Sequence, residues 1–184
     1  MKKLALALAL TGSCVFATTI AVTPASALET YQAQMEASDA ASQARIDMLD
    51  AFGPKELKPG HYLWREVPES AGPERVVISL SDQMAYLYRG DTLMAAATIS
   101  TGRDDKPTPA GIFSVLRKTP MHHSKKYDDA PMPFAQFFEP HGIAMHAGHN
   151  PGHAASHGCV RLPSAFAKKL YSVTDIGTPV LVGA

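Results

Sequence analysis

Ser156-His157-Gly158-Cys159-Val160-Arg161 is the stretch on which the reading of this chain turns. Its cysteine follows a glycine turn among predicted strands, and His146 lies thirteen residues upstream at the end of one of them. The other cysteine, Cys14, falls in the first 27 residues. If those residues are removed, Cys159 is alone and has no disulfide partner within the chain. It is then either an inert buried thiol or a reactive one. The flanking glycine and histidines favour the reactive reading.

Working outward from this segment, the pattern from about Arg75 is that of strands. Val76, Ile78 and Leu80 alternate with Val77 and Ser79, and Met84, Tyr86 and Tyr88 alternate with Ala85 and Leu87. Arg89-Gly90-Asp91 predicts a turn, and strands follow at Leu93 to Ser100 and Gly111 to Arg117, separated by a polar loop from Thr101 to Pro109. Residues 118–140 hold Pro120, Pro131, Pro133 and Pro140, which predicts a long loop of the kind that serves as a lid, with Tyr127 and Phe134 in it. Gly142 to His146 predicts a short strand. Ser164 predicts the N-cap of a helix from Ala165 to Tyr171, and Pro179 to Val182 a last strand. The expected fold is mainly β, a sandwich or small barrel with one or two short helices.

The start of the chain has another character. Met1-Lys2-Lys3, the apolar runs Leu4–Leu10 and Val15–Val22, and Ala25-Ser26-Ala27 make a secretory signal over residues 1–27, cut after Ala27. Thr11, Gly12, Ser13, Thr18 and Thr19 interrupt the run, which argues against a membrane anchor. A lipoprotein cut ahead of Cys14 is disfavoured by Thr11, where such sites want a branched apolar residue. Lys2 and Lys3 are the only charges of the signal, so the remainder carries 15 basic and 17 acidic residues and no basic stripe for nucleic acid or a membrane surface. An exported protein of the periplasm or cell envelope is expected. Residues 28–74 form an N-terminal arm and linker. A helix from about Thr30 to Ala51, marked by Tyr31, Met35, Ile46 and Leu49 and ended by Gly53-Pro54, serves as a spacer or docking arm, or the segment is a partly ordered linker. Residues 75–184 are the catalytic domain.

A nucleophilic cysteine needs a group that takes its proton and donors aimed at the oxygen that becomes negative. His146 and His157 compete as the base. His146 is favoured because a strand end is a rigid platform, which leaves His157 to pack beneath the turn or bond the backbone. The backbone N–H groups of His157, Gly158 and Cys159 are the oxyanion-hole candidates, since glycine ahead of the nucleophile lets the chain approach a carbonyl closely. The group that orients His146 stays open between an acid and a backbone carbonyl.

Ser156-His157-Gly158-Cys159-Val160-Arg161-Leu162-Pro163 resembles the L,D-transpeptidase family, the YkuD-type catalytic domain of bacterial cell-wall enzymes. So do Ser100-Thr101-Gly102 with Pro107-Thr108-Pro109-Ala110-Gly111, and Ile143-Ala144-Met145-His146-Ala147-Gly148. Gln83 with Tyr86 and Tyr88 is similar to the family's early hairpin. The resemblance implies acyl transfer on peptidoglycan stem peptides, with Cys159 attacking the bond between the diamino acid and the terminal D-alanine of a donor tetrapeptide. A thioester forms and an amine acceptor resolves it. His146 would be the general acid/base. Carbapenems acylate members of the family. Arg161 either holds a stem carboxylate or braces the active-site loop. No cofactor or metal is implied.

Other readings are set against this one. Water could resolve the thioester, giving an L,D-carboxypeptidase or other hydrolase. His146, His149, His153 and His157, with His141, could bind a metal, but Gly148, Pro151 and Gly152 break the helix such a spacing needs. A papain-like peptidase would place its cysteine before its histidine. A wall-binding module without catalysis has no reason to keep both Cys159 and His146.

Overall fold

The structure is a computed structural model and describes residues 28–184. The expected signal at residues 1–27 lies outside the described residues.

Helix α1 (Tyr31–Phe52) starts where the Thr30 hydroxyl accepts the Ala33 N–H at 3.2 Å. It stops at Gly53, whose φ of +77° suits glycine, and Pro54 follows. Its buried face is Ala33, Ala37, Ala41, Ala44 and Met48, so Tyr31, Met35, Ile46 and Leu49 do not mark the packed stripe. Those four are 78%, 47%, 52% and 47% exposed. Alanines face inward because the helix lies very close to a sheet. A Cβ on Gly183 would come within 2.5 Å of the Ala37 carbonyl oxygen. The helix is therefore neither a free spacer nor a loose linker.

Ten strands follow in two sheets. They are β1 (Tyr62–Trp64), β2 (Glu74–Ser79), β3 (Met84–Arg89), β4 (Thr92–Thr98), β5 (Gly111–Ser114), β6 (Arg117–His123), β7 (Pro131–Phe137), β8 (Ala144–Ala147), β9 (Val160–Leu162) and β10 (Pro179–Gly183). Helix α2 (Ser164–Val173) sits between the last two. Ser164 is its first residue rather than its cap, and no side chain caps it. The larger sheet has the order β1-β4-β3-β2-β10-β5, and the smaller has β6-β7-β8-β9.

The larger sheet is covered on both faces. Val77, Tyr86, Tyr88 and Leu93 pack against Ala41, Ala44 and Met48 of α1. Val76, Ile78, Leu87 and Val182 face the other way, onto Met145, Val160, Leu162 and the α2 residues Phe166 and Leu170. This is why all six residues of β3 are buried and polar alternation is absent there. Tyr88 donates its hydroxyl to Asp47 at 2.6 Å, tying α1 to the sheet.

The long proline-rich loop expected at 118–140 is instead the β6–β7 hairpin, and β1 is a strand inside the expected linker. Strand β7 pairs with β8 only through Gln136 and Phe137. Pro131 and Pro133 therefore lie in an arm paired on one side only, and Pro120 is on edge strand β6, where a missing N–H costs little. This arm leans over the cleft described next.

Candidate active site

Strands β8 and β9 run parallel, with Met145 beside Val160, His146 beside Arg161 and Ala147 beside Leu162. Met145, Ala147, Val160 and Leu162 enter the core. By the two-residue period of a strand, His146 and Arg161 must therefore emerge on the opposite face. Cys159, just before β9, emerges on that face too, against Ala135, Phe137 and Ala144. All three line one cleft of about 860 Å³ between the β6–β7 hairpin and the segments of β8 and β9 that carry them. Its walls carry the cations Lys106, Arg117, Lys125, Lys126 and Arg161 against the carboxylates of Glu29 and Glu139.

His146 is buried, and its Nδ1 lies 2.8 Å from the Ala147 carbonyl oxygen. A carbonyl only accepts, so Nδ1 carries the proton and Nε2 keeps its lone pair. The orienting group left open by the sequence is thus a backbone carbonyl. Burial holds this imidazole below its usual range. The Ala147 bond opposes that, and Arg161 and His122 add to it. Cys159 is half-buried. Burial pushes its thiol up, Arg161 pulls it down and Glu139 raises it further. The resting pair is therefore a neutral thiol and a neutral imidazole. The sulfur is turned to the Gly142 carbonyl oxygen at 4.0 Å rather than bonded to His146.

The turn that carries Cys159 is clamped from below. The Thr108 hydroxyl accepts the Gly102 N–H at 2.9 Å and donates to the Gly158 carbonyl at 2.7 Å. The Thr101 carbonyl accepts the N–H groups of Ala155 and Ser156, each at 3.0 Å. Gln83 holds Thr101 through two bonds of 2.7 and 3.0 Å. A Cβ on Gly102 would come within 2.1 Å of the Lys106 carbonyl oxygen, so only glycine fits there. Gln83, Thr101, Gly102 and Thr108 thus support the turn that carries Cys159, a role that the sequence reading did not assign them. Their signal was present in the polar, glycine-containing segments that also carry the resemblance.

Two expectations change. The Gly158 N–H is engaged by the Ser156 hydroxyl at 3.0 Å, whereas those of His157 and Cys159 have no partner among the described residues. His157 does not pack beneath the turn. It is exposed, stacks on Tyr127 at 4.2 Å between ring centres, and lies 3.1 Å from Arg103 through Nε2. Arg103 in turn pairs with Asp105. Tyr127, at the hairpin tip, therefore reaches the turn that carries Cys159, while Phe134 packs on Tyr171 of α2. The Arg161 guanidinium has no hydrogen-bond or ion-pair partner among the described residues, so no acid or carbonyl uses it as a brace. His141, His149 and His153 are exposed, and no three His, Cys, Asp or Glu side chains among the described residues gather into a metal site.

The family model of the L,D-transpeptidase catalytic domain (YkuD) matches residues 73–182. The chain belongs to the YkuD family of L,D-transpeptidase catalytic domains. A curated relative, the YkuD protein of Bacillus licheniformis, is 28% identical over 116 residues, which span 60% of this chain and 66% of that protein, just short of two thirds. An L,D-transpeptidase from Xylanimonas cellulosilytica is 27% identical with a TM-score of 0.56, over 65% of this chain and 64% of that one. The L,D-transpeptidase of Stackebrandtia nassauensis shares the fold with a TM-score of 0.57 and 24% identity, over 84% of this chain and 74% of that one. The two sheets and two helices are those of an L,D-transpeptidase fold. No helix among the described residues is long and apolar enough to cross a membrane.

Proposed function

We propose that this YkuD-family protein is an exported, periplasmic L,D-transpeptidase that acts through a Cys159 thioester on peptidoglycan tetrapeptide stems. The observation that carries the reading is the placement of Cys159 and His146 on one cleft face of adjoining parallel strands, with Nε2 of His146 left as a free base. The reaction requires the sulfur to leave the Gly142 carbonyl for that base.

The Cys159 proton then moves to His146 Nε2 as sulfur bonds to the carbonyl carbon of the diamino acid. The N–H groups of His157 and Cys159 receive the oxyanion, while the Gly158 N–H keeps the turn in shape through Ser156. The C–N bond to D-alanine breaks, His146 returns the proton to the leaving amine, and a thioester remains. An acceptor amine, from a second stem or an envelope protein, loses its proton to His146 and displaces the sulfur. The unpaired Arg161 guanidinium holds a stem carboxylate, and the excess of cations along the cleft suits an anionic peptide.

The test is mass spectrometry of products from purified protein and tetrapeptide muropeptides. Release of D-alanine with cross-linked dimers is expected. Tripeptide monomers alone would identify a hydrolase, and the same products from Cys159→Ala would discard the mechanism. A carbapenem adduct located on Cys159 is the expected companion result.

A further inference from the structure

Glu139 is the only buried carboxylate among the described residues, at 5% exposure. A buried anion needs partners, and no lysine or arginine supplies one. The nearest ring nitrogen, His141 Nε2, is 3.8 Å away on a side chain that is 93% exposed. The carboxylate is satisfied by the chain that follows it. One oxygen accepts the N–H groups of His141 at 2.8 Å and Ile143 at 3.4 Å. The Gly142 N–H bonds the Glu139 carbonyl at 3.2 Å, and the Phe138 N–H bonds the Ile143 carbonyl at 3.1 Å. Residues 139–143 are one turn wound around a carboxylate.

That turn points at the nucleophile. Gly142, the residue whose carbonyl oxygen lies 4.0 Å from the Cys159 sulfur, has φ +107°. Nothing lies within 4 Å of where its Cβ would stand, so the backbone angle rather than space calls for glycine. The angle sets the direction of the carbonyl. Glu139 and Gly142 both line the cleft that holds Cys159 and His146.

We propose that Glu139 is a positioning residue for the nucleophile: its carboxylate winds the 139–143 turn and sets the Gly142 carbonyl against the Cys159 sulfur, which parks the thiol there until a substrate enters. The proposal takes Cys159 as nucleophile from the transpeptidase reading, but its test needs no peptide. A glutamine could fill the same turn. Only a carboxylate adds a negative field. Burial raises the thiol most, the Ala144 backbone and then Arg161 lower it, and the Glu139 charge, the smallest of the four influences, raises it. The other groups facing this part of the cleft are His146 on β8, His157 on the cysteine turn, and His141 beside Glu139. Arg117 and His122 come from β6, Lys125, Lys126 and Tyr127 from the hairpin tip, Lys106 from the loop before β5, His149 from the segment after β8, and Glu29 from ahead of α1. No lysine or arginine among these groups pairs with Glu139, whose one ion-pair partner among the described residues is the exposed His141 at 3.8 Å, when that ring is protonated.

The experiment is the pH profile of Cys159 alkylation by iodoacetamide, read as intact mass on the full protein without peptide. In Glu139→Gln the midpoint should fall by about half a pH unit, which is about threefold more thiolate at a fixed pH below both midpoints. Glu139→Asp keeps the charge and should restore the midpoint. A folded Gln variant with the wild-type midpoint overturns the proposal. If that variant does not fold, Gly142→Ala reads the same contact from its other side. Its backbone angle relaxes, the carbonyl leaves the sulfur, and alkylation at pH 7 should rise at least about twofold. A wild-type rate there overturns the proposal equally. Failure of muropeptide cross-linking would count against the transpeptidase reading and leave the alkylation result standing.

Discussion

His146 and Arg161 stand side by side on parallel strands, the base on β8 and the cation on β9, with Cys159 two residues before Arg161 on the same face. The pairing puts a permanent positive charge against both reacting groups. It disfavours an imidazolium and favours a thiolate, while burial acts on each toward its neutral form. An imidazole that stays neutral at pH 7 is ready to take a proton.

Replacing that base tests its role. His146→Gln should lower turnover by at least about 100-fold, in the range lost when a general base is removed. Tetrapeptide turnover with a circular dichroism control checks it.

The acid limb of turnover follows from the direction of the His146 shift. The ring must be neutral to act, so activity should fall only below the ordinary value of 6.5. The same shift bears on stability. The unfolded chain takes up this proton near 6.5 and the folded one at lower pH, so the contribution is full above 6.5 and is lost as pH falls through the folded value. Urea midpoints from pH 8 to 5 should show that decline, and His146→Gln should flatten it.

Arg161 has no partner to lose within the described residues. Arg161→Ala should therefore leave the urea midpoint nearly unchanged while raising KM for the tetrapeptide. A charged hydrogen bond is worth about 1.5–3 kcal/mol, or roughly 10- to 100-fold in kcat/KM. Arg161→Lys should recover only part of it, because an ammonium cannot make the bidentate pair.

Thr108 is buried and bridges Gly102 to Gly158. Thr108→Val leaves both backbone groups unpaired, at about 1–3 kcal/mol of stability. The turn that carries Cys159 also loosens. Chemical denaturation and turnover should therefore fall together.

The two faces of α1 should answer differently. Ala41→Leu places extra volume where the helix meets Tyr86 and Tyr88, and overpacking costs about 1–3 kcal/mol. Ile46→Ser on the outer face should stay within about 0.5 kcal/mol. Urea unfolding of the two variants separates them.

The local patterns were legible from the chain itself. Strands such as Val76–Leu80 and Met84–Tyr88 read correctly because their apolar character is carried residue by residue. The cysteine segment, with its upstream histidine, was legible as a candidate nucleophile and base because those residue types at a glycine turn have few other uses, and the structure brings both to one cleft. What misled was periodicity without a partner. The α1 stripe looked to be its large residues, but the sheet beneath admits only alanine at close approach. The prolines of 118–140 looked like a loop, but they occupy a hairpin arm that needs few donors on one side.

The sequence alone therefore determined a mainly β chain with a cysteine after a glycine turn and the family signature around it. The tertiary structure decided which face each strand shows. Through that it decided that His146 is buried in the cleft wall while His157 stands exposed at its rim against Tyr127, that a carbonyl orients the His146 ring, and that Thr101, Gly102 and Thr108 hold the turn. The reason is that alternation along a strand has two solutions, inward or outward, and only packing against a second sheet selects one.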